Sequence, residues 1–225
     1  MIISLCIPVH ARTYDLKKTM PYLIEAANAS PPVEIAIVDY NSPDDLEEYI
    51  RASCRMPGNF AFSYVKYTGR DYYHMAHARN LSVKAASGEY IVILSADIYP
   101  AIGFLEAARE MIDAGAVWMH SSRYTGVIVC QRQEFIDAGG YDERFEFYGP
   151  EDTDLDARLT RRGSRFGLLP SGLLHVIETP NDEKVKNYRL PLSKRQMHQQ
   201  MKAIYAENNQ AQMMVANEGA EWGQL

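Results

Sequence analysis

Two stretches near the start of the chain, Ile2-Ile3-Ser4-Leu5-Cys6-Ile7-Pro8 and Val33-Glu34-Ile35-Ala36-Ile37-Val38-Asp39, are apolar at almost every position rather than at every second one. A strand with one wet face alternates, whereas one covered on both faces does not, so these runs predict buried strands of the parallel kind. Pro8 ends the first, since it has no N–H to give to a ladder. Between them Leu16, Met20, Leu23 and Ala27 recur at helical spacing and predict a helix over about 15–29. Parallel neighbours need a long crossover, so the alternation dictates strand–helix–strand units and an α/β sheet.

The alternation continues. Ser42-Pro43-Asp44-Asp45 reads as a capping residue with Pro at the first helical position, opening a helix that runs to about Cys54. A third strand is expected over 60–67, a helix over 77–86 stopped by Gly88, a strand over 90–94, and a helix over 102–114 after Pro100. Beyond residues 116–120 the pattern loosens into a strand over 126–131, a short helix over 134–138 and the turn Gly139-Gly140-Tyr141-Asp142-Glu143. A helix over 153–162 ended by Gly163, a strand over 165–169 and His175 complete a domain of 1–178, with 1–100 and 101–178 as its halves. Residues 179–225 read as a helical appendage whose stripe of Met197, Met201, Ile204 and Tyr205 packs on the parent domain, and Asn217–Leu225 are expected to be loose.

A chain of 225 residues with 47% apolar content can bury a sizeable core. Its net charge of −6 supplies no basic field for nucleic-acid phosphates. Cys6, Cys54 and Cys130 are odd in number and far apart, which argues against a disulfide framework or zinc cluster and for a reducing compartment. No basic leader and no apolar stretch of bilayer length is visible, so the chain is expected to be cytoplasmic, or peripheral at the inner face of a membrane.

The chemistry concentrates in two segments. Phe145-Glu146-Phe147-Tyr148-Gly149-Pro150 is an aromatic loop that delivers Glu151 and Asp152 to a helix start, where partial positive charge and free N–H groups stabilise carboxylates. Capping alone would account for that pair. The second segment, Ala78-Arg79-Asn80 through Gly88-Glu89-Tyr90-Ile91 to Leu94-Ser95-Ala96-Asp97, is a helix, a turn and an apolar strand ending on another carboxylate. Asp39 likewise ends a strand, and ligands of open α/β sheets sit beyond such carboxyl ends.

In order and spacing, Pro8, Val38-Asp39, Ala78-Arg79-Asn80, Gly88-Glu89-Tyr90-Ile91, Leu94-Ser95-Ala96-Asp97, Gly139-Gly140-Tyr141-Asp142-Glu143 and Gly149-Pro150-Glu151-Asp152 resemble the GT-A fold glycosyltransferases. The likeness is to the inverting family 2, with a galactosyltransferase-like acceptor segment, and covers about residues 1–175. It implies a mostly parallel mixed sheet flanked by helices, a nucleoside-diphosphate sugar donor, most simply a UDP-sugar, and transfer of a hexose or N-acetylhexosamine to a glycan hydroxyl in polysaccharide synthesis. By the same resemblance Pro8, His10, Arg12 and Asp39 hold the nucleoside, and Arg79 lies near the diphosphate, with a plain salt bridge as the other reading. Ser95 and Asp97 stand at the Asp-X-Asp motif, where Asp97 and His175 bind Mn²⁺ or Mg²⁺; a merely structural His175 is the alternative. Asp152 is the implied base, Glu151 the residue that orients the acceptor, and Tyr148 the sugar platform in place of Trp. His77 is a weaker candidate than Arg79 near the diphosphate, with capping of its helix as the other reading, and His120, with no carboxylate near it in sequence, is assigned nothing. A degenerate relative that binds without turnover and a GT-A nucleotidyltransferase are the alternatives, the latter lacking a Gly-rich, Lys-bearing loop after the first strand.

Overall fold

The structure, a computed structural model, describes residues 1–53 and 58–224, without the side chain of Ser53. Cys54, the expected end of the second helix, lies outside the described residues. The chain runs β1 (Ile3–Val9), α1 (Thr13–Ala29), β2 (Val33–Tyr40), α2 (Leu46–Ser53), β3 (Ala61–Tyr67), α3 (Met75–Ala85), β4 (Tyr90–Ile93), β5 (Ile98–Pro100) and α4 (Phe104–Asp113). It continues as β6 (Trp118–Ser121), β7 (Ile128–Gln131), α5 (Arg132–Asp137), α6 (Glu151–Arg161), β8 (Phe166–Leu169), β9 (Leu174–Val176), α7 (Asn181–Val185) and α8 (Lys194–Gln210).

Seven strands form one sheet in the order β3-β2-β1-β4-β7-β6-β8. β1, β2, β3 and β4 pair in parallel, β6 pairs in parallel with β8, and β7 runs antiparallel between β4 and β6. This is the mixed, mostly parallel sheet that the apolar runs predict. Both faces of β1 are covered. Ile3, Leu5, Ile7 and Val9 face Leu16, Met20 and Leu23 of α1 and Phe104 of α4, whereas Cys6 joins Ala76 and Val83 of α3, Phe135 of α5 and Leu155 and Leu159 of α6. Each such aliphatic side chain contributes about 1.5–3 kcal/mol by leaving water, which is why β1 tolerates no polar alternation. Among the described residues no helix is long and apolar enough to cross a membrane.

Several boundaries differ from the expected ones because tertiary hydrogen bonds override local signals. Ser42–Asp45 form a loop rather than a helix start: Asp44 accepts from the backbone N and the hydroxyl of Thr13 at 3.0 and 2.7 Å, capping α1 from a distance. α3 begins at Met75 with His74 as its cap, Nδ1 accepting from the N–H of His77 at 3.3 Å, so the cap is His74 and not His77. Gly88 does not stop that helix, which ends at Ala85. It is a point of close approach, where an added Cβ would lie 2.5 Å from the Ser4 hydroxyl. The short sheet of β5 and β9 was not foreseen either.

The chain after α7 shares the second core, with Met197 and Met201 buried beside Phe145 and Leu155. The stripe thus packs as expected. The terminal stretch is not loose: Asn217 donates to the carbonyls of Gly139 and Tyr141, both at 2.7 Å, and Gly223 N donates to Glu143 at 2.9 Å.

Candidate active site

Parallel pairing brings the carboxyl ends of β1, β2 and β4 to one edge, and with them His10, Asp39 and the segment Ser95–Asp97. Asp39 is 1% exposed, its two oxygens accepting from Ser42 N and the Tyr64 hydroxyl, each at 2.7 Å. It thereby fixes the loop that follows β2. His10 is also turned inward. Its Nδ1–H donates to the Tyr40 carbonyl at 2.6 Å and its ring stacks on Tyr73 at 5.9 Å. Tyr73, which the sequence did not single out, meets Tyr40 and Tyr188 edge to face as well, each at 5.8 Å. Burial pushes its hydroxyl up to about 12, so it stays protonated.

Arg12 pairs with Asp15 at 2.8 Å and reaches the Glu183 carbonyl of α7. The carboxylate of Asp97 faces Lys184 of the same helix at 3.9 Å. Burial raises the Asp97 carboxyl, and Lys184 and Arg12 act against that rise. His175 is exposed on β9, stacked on Tyr99 at 5.3 Å, and Tyr99 stacks on Tyr22 at 4.2 Å. The two expected metal ligands are therefore committed to different partners. Among the described residues no group of three His, Cys, Asp or Glu side chains is gathered to hold a metal ion. One carboxylate beside an ammonium group, two residues from the neutral side chain of Ser95, is a poor match for a divalent ion, which prefers several anionic oxygens.

The acidic pair is in place but divided. Glu151 and Asp152 are the first residues of α6. Asp152, with a 23% exposed side chain, accepts on Oδ1 from Arg79 at 2.6 Å and from the Tyr141 hydroxyl at 3.1 Å. Glu151 is turned inward, 2% exposed, and accepts from Gly149 N at 3.1 Å and from Arg79 at 3.3 Å. Burial first, and the charge of Asp152 second, push the Glu151 carboxyl up to about 8 against the pull of Arg79. The Glu151 carboxyl is thus engaged with the loop and with Arg79. Arg79 itself is buried in this ion-pair cluster, its guanidinium 5.1 Å from the centre of the Tyr141 ring, and in this structure it serves the acidic pair. Tyr148 carries the ammonium of Lys194 over its ring at 4.3 Å, so one ring face is already covered.

Sequence reasoning missed three further neighbours. Gly126 lies so close that a Cβ there would stand 3.1 Å from Oδ2 of Asp152. Asp156, one helical turn after Asp152, has its carboxyl pushed up to about 7 by burial and by the Asp152 charge. His120 lies with Nε2 3.5 Å from Asp156, the carboxylate that no local spacing could reveal, because α6 packs against β6 only in the folded chain.

The family model for glycosyl transferase family 2 matches residues 4–156, more than half of the chain, and the chain belongs to that family. The mannosyltransferase PcManGT from Pyrobaculum calidifontis, solved with GDP-Man and Mn²⁺, superimposes with a TM-score of 0.63 at 19% identity, over 76% of this chain and 55% of its own. The S. aureus TarS fragment gives a TM-score of 0.64 at 14% identity, over 88% of this chain and 68% of that one. In complex with UDP-GlcNAc the same fragment gives 0.60 at 15% identity, over 80% and 59% of the two chains. The chain thus spans little more than half the length of the mannosyltransferase. A search of curated proteins gave no significant match. At these identities the likeness establishes the GT-A fold.

Proposed function

We propose that the chain transfers a sugar from a nucleoside-diphosphate sugar to a hydroxyl group, with inversion, and that Asp152 is the base. The observation that carries this reading is the asymmetry of the Asp152 carboxylate: Arg79 and Tyr141 both hold Oδ1, while Oδ2 faces the space left by Gly126. The acceptor oxygen attacks the anomeric carbon, its proton passes to Asp152, and the bond from that carbon to the phosphate oxygen breaks with its electron pair on the nucleoside diphosphate. A single displacement with one base inverts the centre, and the inward turn of Glu151 keeps the second carboxylate of the pair out of the reaction. Family membership supports glycosyl transfer. The TarS fragment's complexes with UDP and UDP-GlcNAc support a UDP-sugar, and together with the GDP-Man complex of the mannosyltransferase a hexose or N-acetylhexosamine as the moved group; a glycan as acceptor rests on the family resemblance alone.

Asp152→Asn is expected to bind nucleotide as the native protein does while releasing UDP from UDP-sugar about 10²–10⁴-fold more slowly, the usual contribution of a positioned base. Native rates of UDP release by the folded variant would remove Asp152 from the chemistry. No UDP release by the native protein with any sugar acceptor, despite nucleotide binding, would favour the reading as a binding protein without turnover, for which Ser95 in place of an Asp is the motivating observation.

A further inference from the structure

Building on the glycosyltransferase reading, we propose that the positive charge meeting the donor's diphosphate is supplied by Lys184 of α7, with Arg12 beside it, at the place where the family resemblance puts a divalent ion. The segment that carries Lys184 is tethered over the strand ends on both sides. Ile177 N donates to the carbonyl of Asp97 itself at 2.8 Å, and past α7 the Asn187 carbonyl accepts from Tyr73 N at 2.7 Å. Tyr188 then enters the second core, its ring against Tyr73 and its hydroxyl 3.7 Å from the Met75 sulfur. Between these anchors the ammonium of Lys184 comes to 3.9 Å from Asp97, and Arg12 spans from Asp15 to the Glu183 carbonyl.

The charges near the Asp97 carboxylate are Lys184 and Arg12 on one side and Asp15 on the other. Lys184 and Arg12 each face a carboxylate before a donor arrives, Asp97 and Asp15 respectively. A diphosphate brings more than one negative charge; Lys184 faces one carboxylate, and Arg12 one carboxylate and one carbonyl, so each can turn part of its donor set to phosphate oxygens. Lysine suits the role as a compact point charge on a flexible stem. As the bond to the anomeric carbon breaks, the added charge on the leaving phosphate oxygen is met by these fixed cations without a further ion. Asp97 then competes with the diphosphate for Lys184. Arg79 is committed elsewhere, buried against Glu151 and Asp152.

Calorimetry of UDP and of GDP in EDTA and in saturating Mn²⁺ tests this. The native protein is expected to bind the preferred nucleotide with affinities within about twofold of each other in the two buffers, since no ligand of the diphosphate is removed by the chelator. In EDTA, Lys184→Ala should weaken binding by about tenfold or more, and Lys184→Arg should restore most of the loss. Asp97→Asn separates the two accounts: removing a carboxylate beside the diphosphate should leave binding unchanged or tighter here, but would destroy it if that carboxylate held an ion. Circular dichroism checks that each variant is folded. Tightening of native binding by tenfold or more on adding Mn²⁺, lost in Asp97→Asn, would overturn the proposal, as would undiminished binding by folded Lys184→Ala. Native protein that binds neither nucleotide in either buffer would bring down the donor reading and this inference with it. Metal-dependent binding would bring down the inference alone.

Discussion

Asp152 is gripped at Oδ1, and its Oδ2 is bordered by a residue without a side chain. Gly126 therefore has a definite reason to be glycine. A methyl group there would stand 3.1 Å from Oδ2, closer than carbon and oxygen ordinarily approach, and would push the carboxylate off its line. Gly126→Ala is expected to keep nucleotide affinity and slow UDP release by about tenfold, as small misplacements of a reacting group do. An unchanged rate would show that Oδ2 does not face the acceptor. Buried Glu34 shows the opposite use of a carboxylate. Burial works against its charge, but hydrogen bonds from Ser4 at 2.5 Å, Ser87 at 2.8 and 2.9 Å and Ser63 at 3.0 Å outweigh that and keep it below the usual range. It ties β1, β2 and β3 together from inside the sheet.

At the scale of elements, α6 is the hinge between site and scaffold. Its first turn carries the acidic pair and Asp154, and Asp154 pairs at 2.8 Å with the fully buried Arg158 one turn on, which also donates to the Ala138 carbonyl at 2.6 Å. Asn208 of α8 donates to Asp154 at 2.8 Å and to Asp142 at 2.9 Å, so the C-terminal helix is wired to α6. The tail repeats the pattern at Asn217, whose amide holds the Gly139–Tyr141 turn that positions the Tyr141 hydroxyl on Asp152. Asn217→Ala takes a donor from both carbonyls, of which that of Tyr141 keeps the Asn80 amide at 2.8 Å, and is expected to lower stability by about 1–3 kcal/mol in urea titrations. An unshifted midpoint would mean that the tail only rests on the turn. None of this was legible beforehand. The strands of the donor half were, because two-sided burial writes itself into composition at successive positions, and so was the acidic pair, because a helix start is a local event. The docked tail, the cap that Asp44 lends to α1 and the pairing of His120 with Asp156 depend on which surfaces meet after folding, and hydrogen bonds between distant polar residues leave no period to read.

The whole molecule carries opposed titrations, and their balance sets how stability varies with pH. His74 and His77 are buried, and desolvation followed by the nearby charge of Arg70 lowers them to about 4 and about 3. The unfolded chain protonates both near its ordinary value, so their contribution is present above about 6.5 and is lost as pH falls toward their folded values. Glu34, Glu134 and Asp142, each held below its usual range where hydrogen bonds outweigh burial, add to the loss on the acid side. Glu151 and Asp156 act the other way. Their folded values of about 8 and about 7 lie above the unfolded ones, so the folded state binds more protons, and their contribution is complete below about 4 and is lost as pH rises through 7 and 8. Histidines at the donor edge thus oppose low pH, and carboxyls of α6 oppose high pH. Stability is expected to peak in mildly acidic solution, at about pH 5–6, and to fall as pH is raised toward 8.5. Glu151→Gln, which keeps one acceptor oxygen for Gly149 N or Arg79 and cannot ionise, should flatten the alkaline limb and leave the acid limb as it was. Urea midpoints of both proteins at pH 4, 5.5, 7 and 8.5 decide the matter, and a native midpoint that rises from pH 5.5 to 8.5 would show that the buried carboxyl of Glu151 is charged throughout.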